Sequence, residues 1–176
     1  QYFLPAIQRE FVWGGDKIVF LFDSILQGYP ISSFLFWQLE LENRGKWQVY
    51  KFVQNAIKNI THNELASLEG VPEPILVLDG QQRLTALLIG LRGTFTTKKK
   101  YRRKNDPDAW EQQQLYLDLL QNPRAMEDDD QSKPKFGLQF FKSEPRNTDT
   151  HHWLRVGLIL NCADEDQFFD FKQRET

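Results

Sequence analysis

The chain has 176 residues, 40% hydrophobic and 26% charged, enough for one packed core and unlike a disordered composition. Its formal net charge of −2 gives no overall attraction to nucleic acid, so such a contact needs a local basic patch. A single cysteine, Cys162, excludes an internal disulfide framework and a cysteine-rich zinc site, and fits a reducing cytoplasm.

No apolar stretch is long enough to span a bilayer. No signal peptide is visible, but the chain begins at Gln1 rather than Met. It therefore reads as a piece of a longer protein, with residues 1–176 forming one domain.

In chain order, DKIVFLFDSILQG (16–28) reads as a helix. Asp16 can cap it, Ile18, Leu21, Phe22 and Ile25 form one face, and Gly28 before Tyr29-Pro30 ends it. The aromatic-rich run 31–41 predicts a buried strand, and WQVYKFV (47–53) a second one. A short helix is expected in HNELASL, followed by a Gly70–Pro74 loop. ILVLD (75–79) is the clearest strand. The helix behind it places Leu84, Leu87, Leu88 and Leu91 on one stripe, with Gly93 just past its end. The next stretch, TFTTKKKYRRKNDPD, is basic and poorly periodic. Further strands are expected at 114–120, 136–142 and 152–160. Strands and helices without strict alternation predict an α+β fold.

Asp79-Gly80-Gln81-Gln82-Arg83 joins the clearest strand to the clearest helix. One reading is purely structural. Asp79 caps the helix, Gln82 at the third helical position completes a capping box, and Gly80 tolerates the tight backbone. That leaves Gln81 and Arg83 unexplained. The other reading is an anion site. A helix N-terminus offers unpaired N–H groups and about half a positive charge, a glycine admits a phosphate to the backbone, and an arginine adds a planar fork. Residue chemistry alone leaves the two readings open.

Two blocks carry a family resemblance. The first is LPAIQREFVWGGDKIVFLFDSILQGYPI (4–31), with its Gln-Arg, aromatic-x-Trp and Ser-Ile-x-x-Gly-x-Pro-Ile pattern. The second is VLDGQQRLTALL (77–88), with a complete Asp-Gly-Gln-Gln-Arg signature. With weaker echoes in LYLDL, FGLQFF and HHWLRVGLIL, the chain resembles the N-terminal domain of GmrSD-type, modification-dependent restriction endonucleases, a branch of the ParB/sulfiredoxin-like superfamily. The resemblance implies a mixed sheet with packed helices. It also implies a nucleoside triphosphate-binding, and hydrolysing, module of a cytoplasmic DNA-restriction or phage-defence system, with Mg²⁺ accompanying the nucleotide.

Carried onto this sequence, Asp79, Gln81, Gln82 and Arg83 are the catalytic candidates. Gln8, Arg9, Trp13, Gly80, Arg83 and Thr85 are the nucleotide-binding ones. Arg83 would polarise phosphate oxygens, the two glutamines would orient nucleotide or water, and Asp79 would hold the turn, a metal ion or that water. Trp13 would be an aromatic platform, although on sequence alone it reads first as a core residue. Ile7 departs from the family's aromatic residue before Gln-Arg, and 55–73 is a divergent segment. The family often carries a His-Asn-His nuclease domain in the same or a partner chain; three histidines and no such motif give this chain none. The alternative function is a non-hydrolysing, nucleotide- or DNA-sensing module that controls a separate nuclease.

Lys98, Lys99, Lys100, Arg102, Arg103 and Lys104 surround Tyr101 and form the strongest basic cluster, read as either a DNA-backbone contact or a solvated loop. Glu127–Asp130 lacks EF-hand spacing. His151 and His152, on opposite faces of a strand, do not chelate one ion together. No metal ligand set and no phosphate-binding Walker loop is written in the sequence.

Overall fold

The computed structural model describes every residue except 8, 58–61, 100, 104–105, 107–108, 124–132 and 176, and gives backbone alone for 41 and 175. The fold is α+β, built on two mixed sheets. One takes the order β2-β6-β1-β3-β5, from β1 (Tyr2–Pro5), β2 (Leu35–Gln38), β3 (Val49–Tyr50), β5 (Leu65–Ala66) and β6 (Ile75–Asp79). The other runs β10-β8-β7-β4, from β4 (Asn55–Ile57), β7 (Thr94–Lys98), β8 (Trp110–Asp118) and β10 (Trp153–Arg155), with β9 (Gly137–Phe141) also on β8. Helices α1 (Gly15–Leu26) and α2 (Gln81–Arg92) pack with the second sheet, and α3 (Glu165–Glu175) closes the chain. Among the described residues no helix is long and apolar enough to cross a membrane.

Strand β6 sits between β1, parallel to it, and β2, antiparallel. A strand flanked on both sides reads as a continuous apolar run, and Leu76 and Val77 are fully buried. The β1 strand is central to its sheet, joined to β6 on one side and antiparallel β3 on the other. Phe3, Leu39, Val49, Leu68 and Leu76 form the core on this sheet. The larger core joins Ile18, Leu21 and Phe22 of α1, Ala86 and Ile89 of α2, and Val53, Ala56, Phe95, Leu115 and Leu138 from around the second sheet.

Several elements differ from their sequence expectation. Gly14, not Asp16, occupies the cap position of α1, and no side chain caps that helix. Ile25 is exposed; Asp23 is buried beside Leu21 and Phe22 instead, accepting from Gln27 Nε2 at 2.5 Å and the Phe136 N–H at 2.8 Å. The expected buried strand 31–41 is a four-residue edge strand, β2, with Leu35 and Phe36 exposed. HNELASL forms no helix, because Leu65–Ala66 pairs with β3. The start of the basic stretch is strand β7, whose polar threonines hide its period. It pairs parallel with β4 and antiparallel with β8. After β10 the chain leaves the sheet for a 3₁₀ turn at Val156–Asn161. There Gly157 lies so close to α2 that a Cβ would be 2.2 Å from the Leu91 carbonyl oxygen. The Glu127–Asp130 run lies outside the described residues.

Helix α2 itself is oriented differently from its leucine stripe. Its most buried side chains are Gln81, Gln82, Thr85, Ala86 and Ile89, with Gly90. The leucines flank that face half-buried. The reason is close packing against α1: a Cβ on Gly90 would sit 2.4 Å from the Phe22 ring.

Asp118 pins the end of β8. Its carboxylate lies 2.6 Å from His151 Nδ1 and accepts the N–H groups of Leu120 at 3.1 Å and His152 at 3.0 Å. Burial by itself raises its pKa; the His151 contact and the two backbone donors outweigh that and hold it below the ordinary carboxylate value. A depressed folded-state pKa gives stability that is present above the unfolded value and lost as pH falls through the folded one. Asp118→Asn should therefore cost about 1–3 kcal/mol at neutral pH. In urea unfolding, the gap between parent and variant should be full above about pH 4 and close as pH falls further.

Candidate functional site

The Asp-Gly-Gln-Gln-Arg segment is a sharp strand-to-helix junction. Asp79 is still the last residue of β6, in register with Leu35. Gly80 then takes a left-handed conformation (φ 84°, ψ 8°) as the cap residue of α2, and no side chain caps the helix. The expected Asp79 capping box is therefore not formed. An extended Asp79 is one residue too early, and Gln82 is engaged elsewhere.

Both glutamines reach back to the stretch after β1. Gln81 Nε2 donates to the Arg9 carbonyl at 3.0 Å. Gln82 Nε2 donates to the Glu10 carbonyl at 2.9 Å, and its Oε1 accepts the Val12 N–H at 3.0 Å. Gln82 is thus saturated by backbone and clasps two segments 70 residues apart in sequence. Gln81 is not. Because a carbonyl can only accept, the Arg9 contact assigns Nε2 to that side. Its Oε1 is left buried with no hydrogen-bond partner among the described residues, on a side chain only 7% exposed.

Gln81 lines a cavity of about 190 Å³ together with Arg9, Glu10, Tyr50, Asn63 and the end of β1. Among the described residues the Arg9 guanidinium has no ion-pair or hydrogen-bond partner. Glu10 is held by His62 Nδ1 at 2.6 Å, and Asn63 donates to the Lys51 carbonyl at 2.9 Å. The cavity is thus lined by a cationic side chain with no partner among the described residues and by a glutamine whose other carboxamide atom is buried and unanswered.

Arg83 points elsewhere. Its guanidinium donates to the Ile31 carbonyl and to the Ser33 carbonyl at 2.8 Å, lies 3.5 Å from Asp79 Oδ2, and stacks 4.9 Å from the Phe34 ring centroid. Ser32, between those carbonyls, has φ 70°, a backbone state rare outside glycine. It turns both neighbouring carbonyls onto the guanidinium. Phe34 also fills the open side of Gly80, where a Cβ would lie 2.4 Å from its ring.

The structure therefore brings Arg9 and Gln81 together, with Gln82 anchored beside them on the Glu10 and Val12 backbone, and turns Arg83 away from them. Thr85 is buried in α2, and Trp13 packs against the larger core. Gln8 lies outside the described residues, as do Lys100 and Lys104 of the basic cluster. Within that cluster Lys99 is 3.9 Å from Glu111 and Arg102 is 3.1 Å from Asp106, while Lys98 and Arg103 are exposed. Tyr50, Asn63 and Phe34 were not anticipated. Asn63 falls in the divergent 55–73 segment, and no local periodicity marks any of the three.

A mixed-sheet α+β domain with a polar cavity between an N-terminal Gln-Arg block and a helix-initiating Gly-Gln-Gln-Arg is the class these features define. Residues 1–172 match the family described as GmrSD restriction endonuclease, N-terminal domain. The chain belongs to that family. It is also 36% identical over 89 residues to a protein of Methanocaldococcus jannaschii described as uncharacterized protein MJ0686; the match covers 50% of this chain and 14% of that protein.

Gly80→Ala tests the junction. A β-carbon at this φ costs about 1–2 kcal/mol by itself, and here it also meets Phe34. The variant should melt well below the parent by circular dichroism and lose the Arg83–Phe34 contact. An unchanged melting temperature would contradict the close approach.

Proposed function

We propose that the chain binds a nucleoside triphosphate in the Arg9–Gln81 cavity and hydrolyses it within a cytoplasmic restriction system, on a ParB/sulfiredoxin-like fold. The observation that carries this reading is the buried Gln81 Oε1 beside Arg9, neither with a partner among the described residues. An orphaned buried acceptor costs about 1–3 kcal/mol, which a ligand donor restores. The cavity therefore suits a ligand with a hydroxyl or N–H at one end and an anion at the other, as a nucleotide has. At about 190 Å³ it takes a sugar or base rather than a whole triphosphate. The phosphates lie along the rim, against Arg9.

Among the described residues no group of three acidic, histidine or cysteine side chains is placed to hold a metal ion. Mg²⁺ commonly binds through one or two carboxylates plus substrate phosphates. Glu10, which lines the cavity, is the carboxylate able to complete such a set, with the nucleotide supplying the other oxygens. Arg83 and Asp79 hold the turn that aims Gln81, and Arg9 is the cationic side chain placed to offset charge on the transferred phosphoryl group; Mg²⁺, if held by Glu10, would supply further charge compensation there.

A second reading, binding without turnover, is favoured by one observation. The Arg83 fork is already occupied by two carbonyls and Asp79, which leaves it unavailable to a phosphoryl group. In that case nucleotide binding would control a nuclease domain elsewhere.

Calorimetric titration of ATP, GTP, CTP and UTP with Mg²⁺ tests the site. One nucleotide should bind the parent, and Arg9→Gln and Gln81→Leu should each weaken it by roughly 10- to 100-fold, the loss of one charge-assisted or buried hydrogen bond. Equal binding by both variants, or none by the parent, would remove the site. Phosphate release with the bound nucleotide then separates hydrolysis from the switch.

A further inference from the structure

A second cavity lies at the opposite end of α2, apart from the Arg9–Gln81 site and independent of its function. Its volume is about 370 Å³, within the range of roughly 300–1,000 Å³ usual for small-molecule sites. Arg92, from the last turn of α2, and Arg155, from β10, both line it, with the carboxamides of Gln54, Gln114 and Asn161. No acidic residue is among its described lining residues. Among the described residues neither guanidinium has a hydrogen-bond or ion-pair partner. In a chain of net charge −2, two arginines that line one cavity and have no partner among the described residues form a concentrated positive field.

The walls are rigid. Gly93 packs so tightly that a Cβ would be 1.7 Å from the Gln54 carbonyl oxygen, and one on Gly157 would be 2.2 Å from that of Leu91. The C-terminal end of a helix opposes an anion with about half a negative charge. Here two of the last four carbonyls are occupied: Ile89 accepts the Gly93 N–H at 3.0 Å and Arg92 accepts Gln54 Nε2 at 3.1 Å. Two full positive charges therefore dominate.

We infer that this Arg92–Arg155 cavity is a binding site for a phosphate ester. The two forks take the phosphate oxygens, and the carboxamides, each both donor and acceptor, contact the group the phosphate carries. That ester belongs either to a free nucleotide or to the backbone of a nucleic-acid strand.

The test is titration of inorganic pyrophosphate into the ¹⁵N-labelled 176-residue chain, following the side-chain amides of Gln114 and Asn161 and the backbone N–H groups of Gly93 and Gly157. These signals should shift saturably. The Arg92→Gln/Arg155→Gln double variant should show at least tenfold weaker binding, while Arg9→Gln, at the other cavity, should leave these shifts as in the parent. If the double variant does not fold, Arg92→Gln alone, on an exposed side chain, carries the comparison. Unmoved signals, or equal binding by the variant, would overturn the site. A nucleoside monophosphate and a 12-nucleotide single strand then compete for bound pyrophosphate. Displacement by the first assigns a free nucleotide, displacement by the strand alone assigns a nucleic-acid backbone, and displacement by neither overturns the phosphate-ester assignment.

Discussion

The carboxamides of Gln81 and Gln82 fasten the stretch after β1 to the first turn of α2. Each donates across about 70 residues of sequence to the backbone that follows β1, and Gln82 also accepts the Val12 N–H. Backbone outside a sheet carries polar groups that need partners once buried. Here a helix supplies them in place of a strand. The N-terminal segment thus stays close to the first turn of α2, and the cavity between them exists because of that clasp. Glutamine suits the role, since one side chain both gives and takes a hydrogen bond.

Arg83 performs the equivalent fastening on the other flank. Its two carbonyl partners come from the connection between α1 and β2, and Ser32 sits in a left-handed conformation to present them. A non-glycine residue there costs about 1–2 kcal/mol. Charge-assisted hydrogen bonds, at roughly 1.5–3 kcal/mol each, are large enough to sustain it. The signature's residues therefore divide by direction. Two glutamines and an arginine position the junction, and of these three, among the described residues, Gln81 is the one that leaves a buried atom without a partner.

Much of this was legible in the sequence, and the exceptions have physical causes. Helices at 15–26 and 81–92 and the strand at 75–79 announced themselves by period and by flanking glycines. The proximity of the Gln-Arg block and the Asp-Gly-Gln-Gln-Arg turn came from the family resemblance. Residue periodicity misjudged which face of α2 is buried, because small residues against Phe22 permit an approach that leucines do not. It also missed β4, β5 and β7, where two to five residues earn strand geometry only from distant partners. The direction of the Arg83 side chain depended on Ser32, whose backbone angle no composition rule foretells. The second arginine cavity joins residues from four separate elements, so no local pattern contains it.

The central position of β1 also sets an order of events for a chain emerging from the ribosome. Tyr2 and Phe3 take as partners Ile75 and Leu76, made more than seventy residues later. Until β6 is exposed, β1 can meet its antiparallel neighbour β3 but lacks the parallel strand on its other side. Long-range pairing of this kind slows folding, and an unpaired apolar strand is open to capture by another chain. The nascent segment therefore stays open to such capture until β6 has been made.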